Sequence, residues 1–482
     1  LEDYMKRDSN TYDIIIIGAG AGGLNIAGFA NTVGLSTLLI DKNDSSIGGD
    51  CLNHGCIPSK ALIHVARILH EGKAAERFGL SLSGEVDIKK IVEYIHEKKE
   101  HIRTHENAEY FRAKGMDVVL GVASFISSHE VEVGGVIYSA KKIVIATGSH
   151  PREFVVQGSD EAKREGKIFT NENIFSIGYI PKRLVVVGGG PIGVELGQAF
   201  NYLGSAVTIV GIGLLEKEDK ELVAIVQNKL TQEGVSMKLG YTVESIQDNT
   251  VINIKNEDGH VEGIPFDTLL VSIGREISIG DLHVENAGIK INNHGFIEVN
   301  EYLETSNKDI VVCGDVAGGH MFTHAAEVHA GVIINNLFSP RKKKLSTDTM
   351  SWVTYTNPEI ATFGLQEKTL QERAITYEVV EQNFSESDRA IVDEETEGLV
   401  KLFISTQGVV LGGTMVAKDA GEISAEMMFA QAHAMSLKDF MKKVYPYPTK
   451  TRVHRSLVLA YMGRSLTPFV KVMLRFLFRY IV

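Results

Sequence analysis

Cysteine is scarce: Cys51, Cys56 and Cys313 are the only three in 482 residues, too few for the disulfide framework that holds small secreted domains together. That scarcity predicts a reducing, cytoplasmic compartment. Long apolar runs are missing as well, so no simple membrane span is expected. No charged leader followed by an apolar stretch and a cleavage site opens the chain, which predicts no export signal. Met5 reads as a natural start, with Leu1–Tyr4 a remnant in front of it. Cations are outnumbered, 49 Lys and Arg against 61 Asp and Glu for a net charge of −12. No overall basic field is available to a nucleic-acid backbone, so nucleic acid is not an expected partner. With 44% hydrophobic and 23% charged residues the composition excludes disordered, collagenous and multi-span classes.

The length suits about three domains. Tyr12–Gly23 reads as a short buried strand that breaks into glycines and runs on into a helix, and Ser36–Asp41 follows as a second strand at the distance a crossover requires. The same arrangement recurs at Arg183–Gly193, followed by Ala206–Gly211. The expected fold class is therefore α/β, with two doubly wound, Rossmann-like dinucleotide-binding domains. Two further strands, Lys142–Gly148 and Thr268–Gly274, end in glycine and mark crossings between them. These boundaries give a first domain of 5–150 and 275–345, a second of 151–274, a C-terminal α+β domain of 346–465 and a basic amphipathic tail of 466–482. Residues 310–317 read as a further buried strand ending on an acid.

Gly18, Gly20 and Gly23 fit G-x-G-x-x-G. Glycine there permits a tight turn and lets backbone N–H groups at a helix N-terminus approach a pyrophosphate. Asp41 stands where a carboxylate accepts from a ribose hydroxyl. Gly188, Gly190 and Gly193 repeat the pattern, but Gly211 takes the ribose-reading place, leaving NADH and NADPH both open. Lys217 could meet a 2′-phosphate, a slight lean to NADPH, although a lone Lys among Glu216, Glu218 and Asp219 is more often a solvated face.

Cys51-Leu-Asn-His-Gly-Cys56-Ile-Pro-Ser-Lys60 is the most specific signal. Residues five apart on a regular helix lie about 8.5 Å apart, beyond the roughly 7 Å reach of a disulfide, so pairing needs a broken first turn. Gly55 supplies backbone freedom, and Pro58 suits the first turn of a helix. Cys56 would then sit at a helix N-terminus, where the dipole favours a thiolate. The spacing lacks the further Cys or His ligands of a metal centre, so no metal site is assigned. Two buried free thiols is the plainer alternative to a redox-active disulfide. His54, between the cysteines, reads as a solvent-facing filler ahead of a proton donor to the pair, and Cys313, in an apolar strand, as a small hydrophobe without catalytic role.

The order of fingerprint, C-x4-C-I-P-S-K, Ala146-Thr147-Gly148, second fingerprint, Gly314-Asp315 and C-terminal domain resembles the flavoprotein pyridine nucleotide-disulfide oxidoreductases from about Tyr12 to His454, and among them dihydrolipoamide dehydrogenase and mercuric reductase. The resemblance implies FAD on Gly18, Gly20 and Gly23, with Asp41 at the adenosine ribose, Asp315 near the ribityl chain, and Lys60, Thr147 and Gly148 in the FAD site. It implies NADH or NADPH on Gly188, Gly190 and Gly193, with Glu195 and Gly274. Cys56 would face the flavin, Cys51 would exchange with a small-molecule or disulfide substrate, and Lys60 would pair with Glu195. It also implies a homodimer, the C-terminal domain of one subunit completing the disulfide site of the other.

The chain departs from that pattern. Where dihydrolipoamide dehydrogenases carry His-Pro-Thr-x-x-Glu, it reads Tyr447-Pro-Thr-Lys-Thr-Arg452, and a phenol does not shuttle protons near neutral pH as imidazole does. Tyr447 is weighed between a substrate role and a packed interface. His433 and His454 read as structural or exposed. No cysteine follows Cys313, so the C-terminal thiolate pair of mercuric reductases is lacking. In the tail, Lys471, Arg475 and Arg479 recur every four residues among aliphatic and aromatic neighbours, which fits an interfacial membrane helix and equally a helix packed on a dimer partner. The expected activity is electron transfer from NAD(P)H through flavin and Cys51–Cys56 to a disulfide or metal ion. Its rivals are a membrane-associated dehydrogenase with a quinone or membrane-thiol acceptor, and an FAD-binding redox sensor without turnover.

Overall fold

A computed structural model describes residues 10–293 and 295–481. Met5, the residues before it, the first five positions of the 5–150 segment and Val482 of the tail lie outside the described residues. The chain divides into two compact units, one of 1–212 with 237–345 and one of 213–236 with 346–482.

The first unit is built on two largely parallel sheets. In the seven-stranded sheet, Asp117–Leu120, Thr37–Asp41, Thr11–Ile17 and Val136–Ile145 lie side by side in parallel, and Ile310–Val312 also pairs in parallel with the last. The unbroken isoleucine run has a simple cause. Ile15 and Ile17 pack with Leu38, Ile40, Ile143 and Ile145 on one face, while Ile14 and Ile16 pack with Leu39 and Val144 on the other. A strand covered on both faces has no polar side to alternate with.

The second sheet has five strands in the order 236–239, 206–211, 183–187, 268–271 and 168–169. Ser149–Pro151 and Arg275–Ile277 pair antiparallel as a two-stranded ribbon, immediately after the two glycine-terminated strands. The strand expected over 310–317 is shorter: it ends at Val312, and Asp315–Ala317 form a single 3-10 turn.

The second unit carries a five-stranded sheet, of which the pairs through Ser351–Thr354, Glu359–Gly364, Val410–Ala417, Leu399–Ile404 and Glu378–Asn383 are all antiparallel. Helices Ala420–Ala432 and Arg452–Gly463 contribute to its core through Ile423, Met427, Val453, Leu457 and Val458. The final helix, Pro468–Tyr480, has no buried residue.

Candidate active site

The cysteine pair straddles a helix break. Cys51 lies in a short helix, Gly49–Asn53, and Cys56 is the first residue of a second, Cys56–Ala74. Gly55 makes the break: a Cβ there would stand 3.0 Å from the Asp50 carbonyl oxygen. Both cysteines carry free thiols, Cys51 half-buried and Cys56 exposed. The Cys56 Sγ lies 3.4 Å from the Thr323 hydroxyl.

The two sulfurs share a proton unequally. A hydrogen bond from Cys51 is the main influence that brings the Cys56 thiol down to about 6. Desolvation of the sulfur opposes it, while the Thr323 hydroxyl and the Lys60 charge reinforce it. Cys51 moves strongly upward, because its hydrogen bond to Cys56 and its burial both hold the proton. These influences favour the thiolate at Cys56 and the thiol at Cys51.

One helical turn beyond Cys56, the Lys60 Nζ meets the Glu195 Oε2 at 2.7 Å, with Glu195 only 7% exposed. Glu195 sits on Pro191–Leu203, the helix that begins at the second fingerprint. A buried carboxylate is stable only with such a partner, so the pair ties the cysteine helix to the second glycine motif.

Arg275 was not singled out from the sequence. Its guanidinium donates to the Ser149 Oγ at 2.7 Å and to the Ser149 carbonyl, and lies 3.3 Å from Asp50 and 3.8 Å from Asp315. It joins the short cysteine helix, the ribbon and the 310–317 segment. Its one sequence signal is that it follows Gly274 at the end of a strand. Ser149 also donates to Asp315 at 2.5 Å. Burial pushes the Asp315 carboxyl up, against the pull of Ser149 and Arg275. Gly314 N–H donates to the Nδ1 of buried His329, which leaves the imidazole proton on Nε2.

The two fingerprints share one construction. Gly18 has φ of +105°, and a Cβ on Gly23 would fall 1.9 Å from the Gly18 carbonyl oxygen. Gly188 has φ of +116°, and a Cβ on Gly193 would stand 2.2 Å from the Gly188 oxygen. Gly20 and Gly190 are helix N-caps without a side-chain cap, and no acid stands in either first turn. Both helix starts therefore keep backbone N–H groups for an anion.

Asp41 closes the second strand, and its carboxylate accepts from Ala19 N–H at 2.7 Å. Burial raises it, and the backbone donors work in the other direction. The Thr147 Oγ1 is buried with no hydrogen-bond partner among the described residues. An orphaned hydroxyl beside a glycine cradle fits a bound dinucleotide better than a closed core. Gly148 and Gly274 both have positive φ, and a Cβ on either would meet nothing within 4 Å.

Other predicted residues are placed differently. Lys217 is exposed and lies in the second unit. Glu216 is exposed with it, as a solvated face requires, but Glu218 is buried, accepting from the Trp352 indole at 2.5 Å and the Thr362 hydroxyl at 2.6 Å. Asp219 caps the helix Lys220–Gln232 and pairs with Lys401 at 3.0 Å. A carboxylate aimed into its own sheet and another capping a helix are tertiary facts that an acidic run does not reveal. His54 is half-buried rather than solvent-facing, and burial lowers it. Cys313 is 1% exposed, and burial pushes its thiol up.

In the second unit Tyr447 is exposed, its hydroxyl donating to Asp388 at 3.2 Å and its ring lying 4.9 Å from the Arg452 guanidinium carbon. His454 is fully buried, and its Nδ1 lies 2.9 Å from the Glu426 Oε2. Its Nε2 has no hydrogen-bond partner among the described residues. Partial burial works against the Glu426 charge, but His454, Lys443 and Tyr445 hold the carboxyl down at about 2. This imidazole–carboxylate pair was missed because its members are 28 residues apart and meet only across two helices. No cluster of three or more His, Cys, Asp or Glu suited to a metal ion occurs among the described residues.

Comparison with known proteins decides the family. The model of the pyridine nucleotide-disulphide oxidoreductases matches residues 12–330, and that of their dimerisation domain matches residues 350–456. The chain belongs to this family. The family uses FAD and NAD(P)H, and the fingerprints described above fit both dinucleotides. A mercuric reductase from Lysinibacillus sphaericus is 31% identical, over 93% of this chain and 82% of its own length. A dihydrolipoyl dehydrogenase from Thermus scotoductus is 34% identical, over 91% of this chain and 95% of its own. Among solved structures, the HOCl-induced flavoprotein disulfide reductase RclA from Escherichia coli superposes with a TM-score of 0.80 at 25% identity, over 93% of this chain and 99% of that one. The disulfide oxidoreductase is thus an oxidoreductase with an α/β fold and a C-terminal dimerisation domain.

Proposed function

We propose that this protein is a homodimeric FAD enzyme that takes electrons from NADH or NADPH and delivers them through Cys51 and Cys56 to a disulfide or metal-ion acceptor. The observation that carries the reading is the cysteine pair set across a helix break, with the Lys60–Glu195 ion pair one helical turn beyond Cys56. When bound, FAD accepts hydride from NAD(P)H and exchanges an electron pair with a disulfide. Backbone N–H groups after Gly20 and Gly190 would hold the two pyrophosphates, Asp41 the adenosine ribose, and Asp315 and Thr147 further polar groups of FAD.

Cys51 is the exchanging sulfur. Once it loses its proton it attacks one sulfur of the acceptor disulfide, forming a mixed disulfide and releasing one thiolate. The Cys56 thiolate then attacks the Cys51 sulfur, which closes the Cys51–Cys56 bond and releases the second thiolate. Two electrons leave the dithiol and two thiols' worth of acceptor are reduced. Lys60 keeps a positive charge beside Cys56 throughout, and Glu195 fixes its position.

Anaerobic titration with NADH and with NADPH tests the reading. In wild type, two-electron reduction should give the long-wavelength band of a thiolate in charge transfer with the flavin, and the better donor identifies the nucleotide. Direct bleaching without that band would overturn it. A second reading, in which the acceptor is a quinone or a thiol in a membrane, is favoured by the exposed final helix. A sensor without turnover is eliminated by steady NAD(P)H oxidation that collapses in Cys56→Ala.

A further inference from the structure

The helix Pro468–Tyr480 and its flanks are largely exposed, only Val470 and Leu477 being half-buried, although they consist largely of apolar residues. Phe469 is 76% exposed, Phe476 57% and Phe478 75%, with Val472, Met473, Leu474, Tyr480 and Ile481 also open. On a helical wheel Lys471, Arg475 and Arg479 fall within one narrow arc, and aliphatic and aromatic side chains cover the rest. None of the three cations has an acid partner among the described residues. The asymmetry extends further back: nine Lys and Arg and no Asp or Glu follow Asp439, in a chain whose net charge is −12.

We infer that this helix docks the protein on an anionic phospholipid surface. Its 13 residues span about 20 Å, short of the ~30 Å hydrocarbon core, and no single described helix is long and apolar enough to cross a membrane. It also turns 93° from the preceding helix, Arg452–Gly463, whose Val453, Leu457 and Val458 are held in the core of the second unit. A short helix leaving its own core at a right angle, with a broad apolar face and a cationic stripe, lies in the plane of an interface. Its aromatic residues sink to the acyl boundary while Lys471, Arg475 and Arg479 reach the phosphates. The charge stripe selects an acidic lipid surface over a second copy of this chain, whose tail would present the same cations. The inference is independent of which acceptor the enzyme reduces.

The test is flotation of the full-length, FAD-loaded protein with vesicles of phosphatidylcholine alone and with added phosphatidylglycerol. Binding should be strong only with phosphatidylglycerol and should weaken as salt rises. Replacing Lys471, Arg475 and Arg479 together by Gln should weaken it about 100-fold, roughly fivefold per cation. Phe469→Ser with Phe476→Ser should abolish it. NAD(P)H oxidation with a soluble acceptor should stay unchanged in both variants, which separates loss of docking from loss of fold. Absence of flotation in wild type, or flotation that neither variant alters, overturns the inference. So does light scattering in which the Phe variant halves the particle mass while wild type ignores vesicles, because a second copy then covers the face.

Discussion

Cys56 should behave as a thiolate at neutral pH, and the cause can be separated by substitution. With its thiol brought down to about 6, about nine-tenths of the reduced protein carries the thiolate at pH 7, against a few per cent for an ordinary cysteine. Because the value is depressed, the thiolate is present above pH 6 and lost as the pH falls through it. The first cause is the hydrogen bond from Cys51, so Cys51→Ala should raise the midpoint by more than any neighbouring change. Cys51→Ser keeps a donor and should stay nearer the wild-type value. Thr323→Val removes a weaker support and should give a smaller rise. The assay is the pH dependence of alkylation by iodoacetamide in the prereduced protein, with the modified residue identified by mass spectrometry. In the two Cys51 variants Cys56 is the one accessible thiol, because Cys313 is 1% exposed. A wild-type midpoint between 8 and 9, or identical midpoints for Cys51→Ala and Cys51→Ser, would refute the reasoning.

The two fingerprints should fail separately: Gly23→Ala, which forces a Cβ onto the Gly18 oxygen, should lower bound flavin, while Gly193→Ala should leave the protein yellow and raise the KM for NAD(P)H. Flavin absorbance and steady-state kinetics distinguish the two, and a Gly193→Ala protein that loses its flavin would contradict the assignment. Glu426→Ala takes the partner from buried His454 Nδ1 and should cost about 1–3 kcal/mol of stability, read as a lower thermal midpoint. An unchanged midpoint would show that the imidazole finds another partner.

The glycine motifs and the C-x4-C pair are local patterns, so the sequence made them visible before any fold was known. The apolar strands around Ile14–Ile17 and Val185–Val187 were equally legible, because burial on both faces leaves a continuous run. What escaped depends on residues distant in sequence. Arg275 earns its role from Asp50, Ser149 and Asp315, which no spacing rule connects. Thr323 lies 267 positions from the sulfur it contacts. Glu218 sits in an acidic run that looked solvated, and only the packing of Trp352 and Thr362 turns its carboxylate inward. Local chemistry is written in spacing, whereas electrostatic support is written in the fold.

The division of the proton between the sulfurs has a consequence for turnover. Relatives of the dihydrolipoamide type place an imidazole where this chain has Tyr447, and Tyr447 is exposed with its hydroxyl on Asp388. In the proposed cycle the attacking sulfur is Cys51, whose proton is held by its hydrogen bond to Cys56 and by burial. With Tyr447 in place of an imidazole to take that proton, attack on a disulfide draws on the small fraction of Cys51 that is ionised, and that fraction grows tenfold with each pH unit. The rate with a disulfide acceptor should therefore climb through the alkaline range and show no plateau near neutrality. Tyr447→His, which restores a group titrating near pH 6.5, should raise the neutral-pH rate by about 10–100-fold and flatten the alkaline climb. The measurement is kcat with a disulfide acceptor as a function of pH in wild type and Tyr447→His. A wild-type rate that is already flat above pH 7 would mean that another group removes the Cys51 proton.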